Sequence, residues 1–115
     1  MKRNNDPRIV RFIEGQPTTG EFVVRTLARS DQLAILEVRF PAGVSSALHA
    51  HDHESAIYVL RGKLKTTIDG KVFLLGPGDT CVHPRQVPHN VEALEEALFL
   101  EIKSPAPDLD DFLQA

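Results

Sequence analysis

Three of the five histidines in this 115-residue chain, His49, His51 and His53, fall at alternate positions in the stretch LHAHDHES. On an extended chain, side chains of one parity project to the same face. Imidazoles placed in this way can grip one metal ion, and His89, immediately after a Pro-bounded turn, can supply a further ligand from elsewhere in the chain. Imidazole suits Zn, Ni, Fe, Mn and Cu alike, and such a site leaves coordination positions open to water or substrate. His-x-His alone is a weak signal, because a single histidine is more often a surface or hydrogen-bonding residue. Its weight depends on the elements that carry it.

Those elements read as strands. Glu21 to Ala28 (EFVVRTLA) and Leu33 to Phe40 (LAILEVRF) are rich in β-branched and aromatic residues and end near Pro or Gly. Ile57 to Leu60 and Leu64 to Ile68 follow, with Gly62 marking the turn between them. IDGK, Ile68 to Lys71, signals a tight hairpin whose turn needs positive φ, with Val72 to Leu75 as the return strand. After the GPGD turn come the short strand TCVH, the turn PRQVP, the strand HNVEAL and the strand ALFLEIK from Ala97. The final LDDFL is the one candidate helix. Many short strands separated by regular turns describe an all-β sandwich or barrel. The expected organisation is an arm over residues 1–20, lying on the surface or across a partner subunit, then a barrel over 21–103 and a tail over 104–115.

Bulk properties narrow the function. Thirteen basic and sixteen acidic residues give a formal charge of -3 without long blocks of one sign. This argues against nucleic acid or an anionic membrane as the main partner and favours a small molecule. The N-terminus shows no apolar segment of signal-peptide length, so a cytoplasmic location is expected. Cys81 is the single cysteine, which excludes an intramolecular disulfide and a cysteine-based zinc site and reads as a small buried hydrophobe. Arg25, between Val24 and Thr26, is a candidate substrate-binding residue: facing inward, its guanidinium would clamp a carboxylate or phosphate at two points.

Two stretches together resemble the cupin family. Its first motif runs Gly, five residues, His-x-His, three or four residues, Glu, six residues, Gly, and Gly43, His49, His51 and Gly62 fall in place. Its second runs Gly, five residues, Pro-x-Gly, two residues, His, three residues, Asn, and Gly78, Pro84 and His89 match. The resemblance covers roughly Val38 to Ile102. It implies a double-stranded β-helix, the jelly-roll barrel of RmlC-like cupins, with one divalent transition metal (Zn, Ni, Fe or Mn) held in its mouth by His49, His51 and His89.

The departures carry information too. The motif's Glu position holds Ser55, a poor ligand. Glu54 next door has the opposite parity and would need a bulge to reach the metal; on chemistry it is the expected fourth ligand, with His53, Ser55 or water as alternatives. Gln86 stands at the second motif's glycine, which suggests a different turn with its amide turned to the mouth as a substrate-binding group. Ala93 stands at the Asn.

HDHESAIYVLRGKL, PRQVPHNVEALEE and LFLEIKSPAPDLDDFL look like the small cupins of pectin and alginate breakdown, which linearise unsaturated uronates. Those enzymes carry an aspartate on the last strand, an aromatic two residues later and an arginine beyond the Ser-Pro turn, where this chain has Glu101, Lys103 and Pro107. The resemblance makes Glu101 the candidate catalytic proton carrier. The expected activity is a metal-dependent isomerase or lyase acting on a small oxygenated, sugar-acid-like substrate. A non-haem metal dioxygenase and a non-catalytic small-molecule-binding cupin are the alternatives. Apolar outer sheet faces and the habit of small cupins point to a homodimer.

Overall fold

Alternation of apolar and polar residues along the chain produces nine strands and one short helix over residues 6–114, the residues described by the computed structural model. Strand β1 (Arg8–Ile13) and the long β2 (Gln16–Arg29) form a hairpin, followed by β3 (Ala34–Phe40), β4 (Glu54–Arg61), β5 (Leu64–Ile68), β6 (Lys71–Leu75), β7 (Thr80–His83), β8 (His89–Ala93) and β9 (Ala97–Ser104). Helix α1 (Leu109–Phe112) closes the sequence. The period-two rule is plainest in β3, where Ala34, Leu36, Val38 and Phe40 are buried while Ile35, Glu37 and Arg39 are not.

Six strands pair in the order β1-β2-β3-β9-β4-β7 and three in the order β6-β5-β8, every pairing antiparallel. The irregular segment between β3 and β4 runs along β8, with bridges Ser45↔Glu92 and His49↔His89, and so extends the smaller sheet. Apolar side chains from both sheets fill the space between them. Phe40 meets Phe22 at 4.6 Å and Phe99 at 5.4 Å between ring centroids, while Val59 and Leu64 have no exposed surface. This is the all-β jelly roll expected from the sequence.

Two turns show how local chemistry sets register. Asp69 and Gly70 both have positive φ, 50° and 79°, as a two-residue hairpin turn requires, and Ile68 consequently pairs with Lys71. Gly62 turns from β4 into β5 at φ 85°, and a Cβ there would lie 2.1 Å from the Glu96 carbonyl oxygen. A side chain at that position would push the β4–β5 turn off the β8–β9 connection.

The segment expected as an N-terminal arm is built into the barrel: β1 is the edge strand of the larger sheet, and the β1–β2 turn reaches the C-terminal helix. Glu14 N–H donates to the Phe112 carbonyl at 2.7 Å and Gly15 N–H to that of Gln114 at 3.0 Å. Asp108 caps α1, its side chain accepting from the N–H groups of Asp110 and Asp111, and Leu109 and Phe112 are buried. The β1–β2 turn and the C-terminal helix thus meet at one end of the barrel. No helix among the described residues is long and apolar enough to cross a membrane.

Candidate metal centre

All five histidines converge at that same end. Ring centroids lie 4.1 Å apart for His49–His51, 4.8 Å for His49–His89, 5.0 Å for His51–His89, 4.7 Å for His51–His53 and 4.2 Å for His83–His89. His49 and His89 are brought together by reciprocal backbone hydrogen bonds, His49 N–H to the His89 carbonyl at 3.0 Å and the reverse at 2.8 Å. One nitrogen from each of His49, His51 and His89 lies within 4.8 Å of the others, so these three residues could hold one ion.

The hydrogen bonds behind the rings select which nitrogen faces inward. His89 Nδ1 is 3.2 Å from the Val87 carbonyl, His49 Nδ1 bonds the Ala47 carbonyl and His51 Nδ1 bonds the Glu14 carboxylate. Carbonyl and carboxylate oxygens only accept, so each Nδ1 carries the proton and each Nε2 keeps a free lone pair. A partner that fixes tautomer and ring orientation is what a metal-ligating histidine needs. Burial also keeps the rings neutral: it lowers His49 to about 4 and moves His51 and His89 in the same direction. Three neutral, oriented nitrogen donors fit a divalent transition ion and leave further coordination positions free.

The other two histidines support this group. His83 Nε2 lies 2.8 Å from the Thr66 hydroxyl, which itself donates to the Asn90 carbonyl at 2.8 Å, so the imidazole is the donor. Its Nδ1 then has no hydrogen-bond partner among the described residues, and the ring stacks on His89 at 7°. Burial lowers His83 to about 3. His53 stacks on His51 at 8°, and its Nε2 is 3.1 Å from Lys103 Nζ.

Lys103, which stands in the sequence only where the uronate enzymes carry an aromatic, lines the candidate site although its type gave no sign of it. It is 2% exposed, donates to Ser55 Oγ at 3.2 Å as well as to His53, lies 3.5 Å from the Glu101 carboxylate and sits 4.6 Å over the Phe112 ring. Burial pulls its pKa down, while Glu101 and Glu14 pull it up. The signal was present in ALFLEIKS, where Phe99, Glu101 and Lys103 share one parity. Glu14 was also missed, because only the docking of the β1–β2 turn brings it to His51.

The candidate residues separate into two groups. His49, His51, His89 and Glu101 line one cavity together with Lys103 and Ser46. Glu54 lies outside it: the residue is exposed, while its neighbours His53 and Ser55 are buried. The strand enters its pleat without the bulge that Glu54 required. Arg25 is on the outer face of the larger sheet, since Val24 takes the inward position, and it bonds Glu37 across the β2–β3 pair at 3.1 Å. Gln86 is exposed and adopts φ 64°, the left-handed conformation for which glycine suits the position. Its N–H donates to the His51 carbonyl at 2.8 Å and its amide to Asp52 at 3.2 Å, so it secures the His51 segment from outside. Cys81 is half-buried with its thiol pushed up to about 11, mainly by burial, and is therefore no nucleophile. Below the histidines the cavity is walled by Phe22, Val24, Leu36, Val38, Phe40 and Phe99.

Two antiparallel sheets with three histidines grouped so that they could hold one metal ion are the arrangement of a cupin. Residues 36–103, more than half of the chain, match the Cupin domain family, and the chain belongs to it. It is 35% identical over 81 residues to the oxalate decarboxylase OxdC of Bacillus subtilis (strain 168), a match covering 66% of this chain and 21% of that protein. It is 34% identical over 85 residues to the pectin degradation protein KdgF of Dickeya dadantii (strain 3937), covering 73% of this chain and 76% of the relative. The solved structure of KdgF from Halomonas sp. matches with a TM-score of 0.73 at 29% identity, covering 76% of this chain and 81% of that one. The chain spans about a fifth of the length of OxdC and three quarters of KdgF from Dickeya.

Proposed function

We propose that this cupin is a metal-dependent enzyme of isomerase or lyase type acting on a small oxygenated acid. The observation that carries the reading is the convergence of one ring nitrogen from each of three imidazoles, whose Nδ1 atoms each meet an acceptor oxygen, on a cavity that Glu101 also lines. His49, His51 and His89 hold one divalent transition ion. Bound there, such an ion supplies Lewis acidity that polarises a substrate carbonyl or hydroxyl. Glu101, inward on β9, takes a proton from the activated carbon and returns it, and Lys103 at 3.5 Å steadies that carboxylate. Glu54 lies outside and Ser55 and His53 both accept from Lys103, so the three histidines would be the residues that hold such an ion. Relatives named for oxalate decarboxylation and pectin degradation support an acid as substrate.

The same three-histidine set favours a dioxygenase if the resident metal proves to be iron or nickel and turnover needs O2. Ser55, a hydroxyl where the cupin motif carries its carboxylate ligand, favours a non-catalytic binding module if the protein does not retain metal. For assembly, Ala56, Tyr58 and Leu60 on β4 and Val82 on β7 form an outward apolar stripe, with Tyr58 and Leu60 each 41% and Val82 50% exposed. We propose that a second copy covers it in a homodimer, for which a monomer mass on gel filtration is the contrary result.

The deciding experiment is elemental analysis by inductively coupled plasma mass spectrometry on untagged protein beside a His49→Ala/His51→Ala double variant. Near-stoichiometric metal that is lost in the variant is the expected result. Wild-type protein that stays empty after incubation with several divalent ions overturns the reading.

A further inference from the structure

The distribution of hydrogen-bonding capacity inside the cavity points to a substrate class. Six polar residues line it: His49, His51, His89, Ser46, Glu101 and Lys103. The three imidazoles have their Nδ1 protons committed to acceptor oxygens, which leaves their Nε2 lone pairs for an ion. The Ser46 hydroxyl accepts from Val91 N–H at 2.9 Å. The Ser46 O–H, Glu101 and Lys103 are then the lining groups left to meet a ligand directly, and of these only Glu101 and Lys103 are charged. The remaining wall consists of phenylalanine, valine, leucine and isoleucine side chains with nothing to donate or accept. Arg25 and Gln86, which would have served a sugar acid, are both outside.

A polyhydroxylated acid placed here would bury hydroxyl groups against aromatic and aliphatic carbon. Each hydroxyl left without a partner costs about tenfold or more in affinity. An apolar body meets no such penalty and gains from contact with the same wall. The polar end selects charge. A divalent ion and the Lys103 ammonium together carry one positive charge more than the Glu101 and Glu14 carboxylates balance, and an anionic group restores neutrality. Of the acceptors around Lys103 Nζ, at 3.1, 3.2 and 3.5 Å, Glu101 is the loosest and can share the ammonium with an incoming carboxylate.

We infer that the substrate is a small carboxylate with an apolar body, such as a branched or aromatic oxo acid, whose carboxylate sits at the Lys103 end of the cavity and whose body lies on the Phe22–Phe40–Phe99 wall. This inference rests on the metal-enzyme reading and narrows its substrate. It also makes Lys103 a specificity-determining residue.

The test is isothermal titration calorimetry on metal-loaded wild-type protein, its metal content measured on the same sample, with three probes: 4-methyl-2-oxopentanoate, D-galacturonate and 4-methyl-2-pentanone. The expected result is that the branched oxo acid binds at least tenfold tighter than galacturonate, which has the same charge, and at least tenfold tighter than the ketone, which lacks the carboxylate. In Lys103→Met the preference for acid over ketone collapses, while Lys103→Arg, which keeps the cation, retains part of it. Galacturonate binding as tightly as the oxo acid to metal-loaded protein overturns the substrate class and leaves the metal site standing. Binding of neither acid at millimolar concentration to metal-loaded protein also overturns it. Wild-type protein that takes up no metal overturns the reading beneath. Should Lys103→Met fail to fold, the wild-type comparison decides alone.

Discussion

At the bottom of the cavity Phe22, Phe40 and Phe99 touch ring to ring, and the residues around them need nothing from their neighbours but volume. At the mouth, five histidines, Lys103, Glu101 and Ser55 are packed as closely; His49 and His89 bond carbonyls two residues before them, while other partners lie far away in the chain. His51 depends on Glu14, 37 residues before it, and His53 on Lys103, 50 residues after it. An apolar wall tolerates substitution as long as it stays filled, whereas a buried polar cluster loses function when one partner is removed, because the survivor is left desolvated and unpaired. Floor substitutions should therefore register in stability and mouth substitutions in metal chemistry.

The largest expected effect is on the floor. Phe99→Ala removes a ring that is 2% exposed and leaves a cavity in the centre of both sheets, so urea unfolding should show a loss of about 3–5 kcal/mol. The metal content per folded molecule should be unchanged. A variant of wild-type stability that has lost its metal would erase the distinction between the two regions.

Acid should act on the mouth alone. In the metal-free protein burial holds His49 and His53 at about 4 and His83 at about 3, against about 6.5 in the unfolded chain. Between these limits the unfolded state binds more protons than the folded one. Stability is thus complete above about pH 6.5 and falls as the pH drops toward 4, with a slope above about 1.4 kcal/mol per pH unit once more than one histidine takes part. Urea midpoints measured on chelated protein from pH 7 to 4 test this. A flat profile would mean that the imidazoles are solvated and the mouth is open.

A smaller effect is expected at the support behind the ligands. Glu14→Ala removes the acceptor of His51 Nδ1–H without touching the floor, and metal affinity measured by chelator competition should fall about 10–100-fold. Unchanged affinity would show that the β1–β2 turn plays no part in holding the site.

How much of this was visible beforehand follows the same division. Strand alternation and the Asp69-Gly70 turn are local signals, enough for an all-β sandwich or barrel; the resemblance of two separate motifs to the cupin family implied the jelly roll and the grouping of His49, His51 and His89. Arg25 and Glu54 were misplaced because each neighbours an inward position: Val24 in β2 and Ser55 in β4 occupy the inner face, and one step of parity sends the charged side chain outside. Lys103 was legible from its parity with Phe99 but hidden by the expectation that a lysine is solvated. Glu14 could not be read at all, since its role depends on the turn it occupies docking against Phe112.

Gln86 tests where the mouth network ends, and the effect is expected to be the smallest. The residue holds φ 64°, which costs a side-chain-bearing residue roughly 1–2 kcal/mol. Gln86→Gly relieves that strain but adds roughly 0.5–1 kcal/mol of unfolded-state entropy, and it removes an exposed amide contact to Asp52 that contributes little. Its backbone N–H, the group that holds the His51 carbonyl, is retained. The net gain should therefore be under about 1 kcal/mol, seen as a slight rise in Tm with metal affinity unchanged. A fall in metal affinity would mean that the Gln86 side chain, through Asp52, orders the loop carrying His51, and the boundary of the network would then move one residue further out.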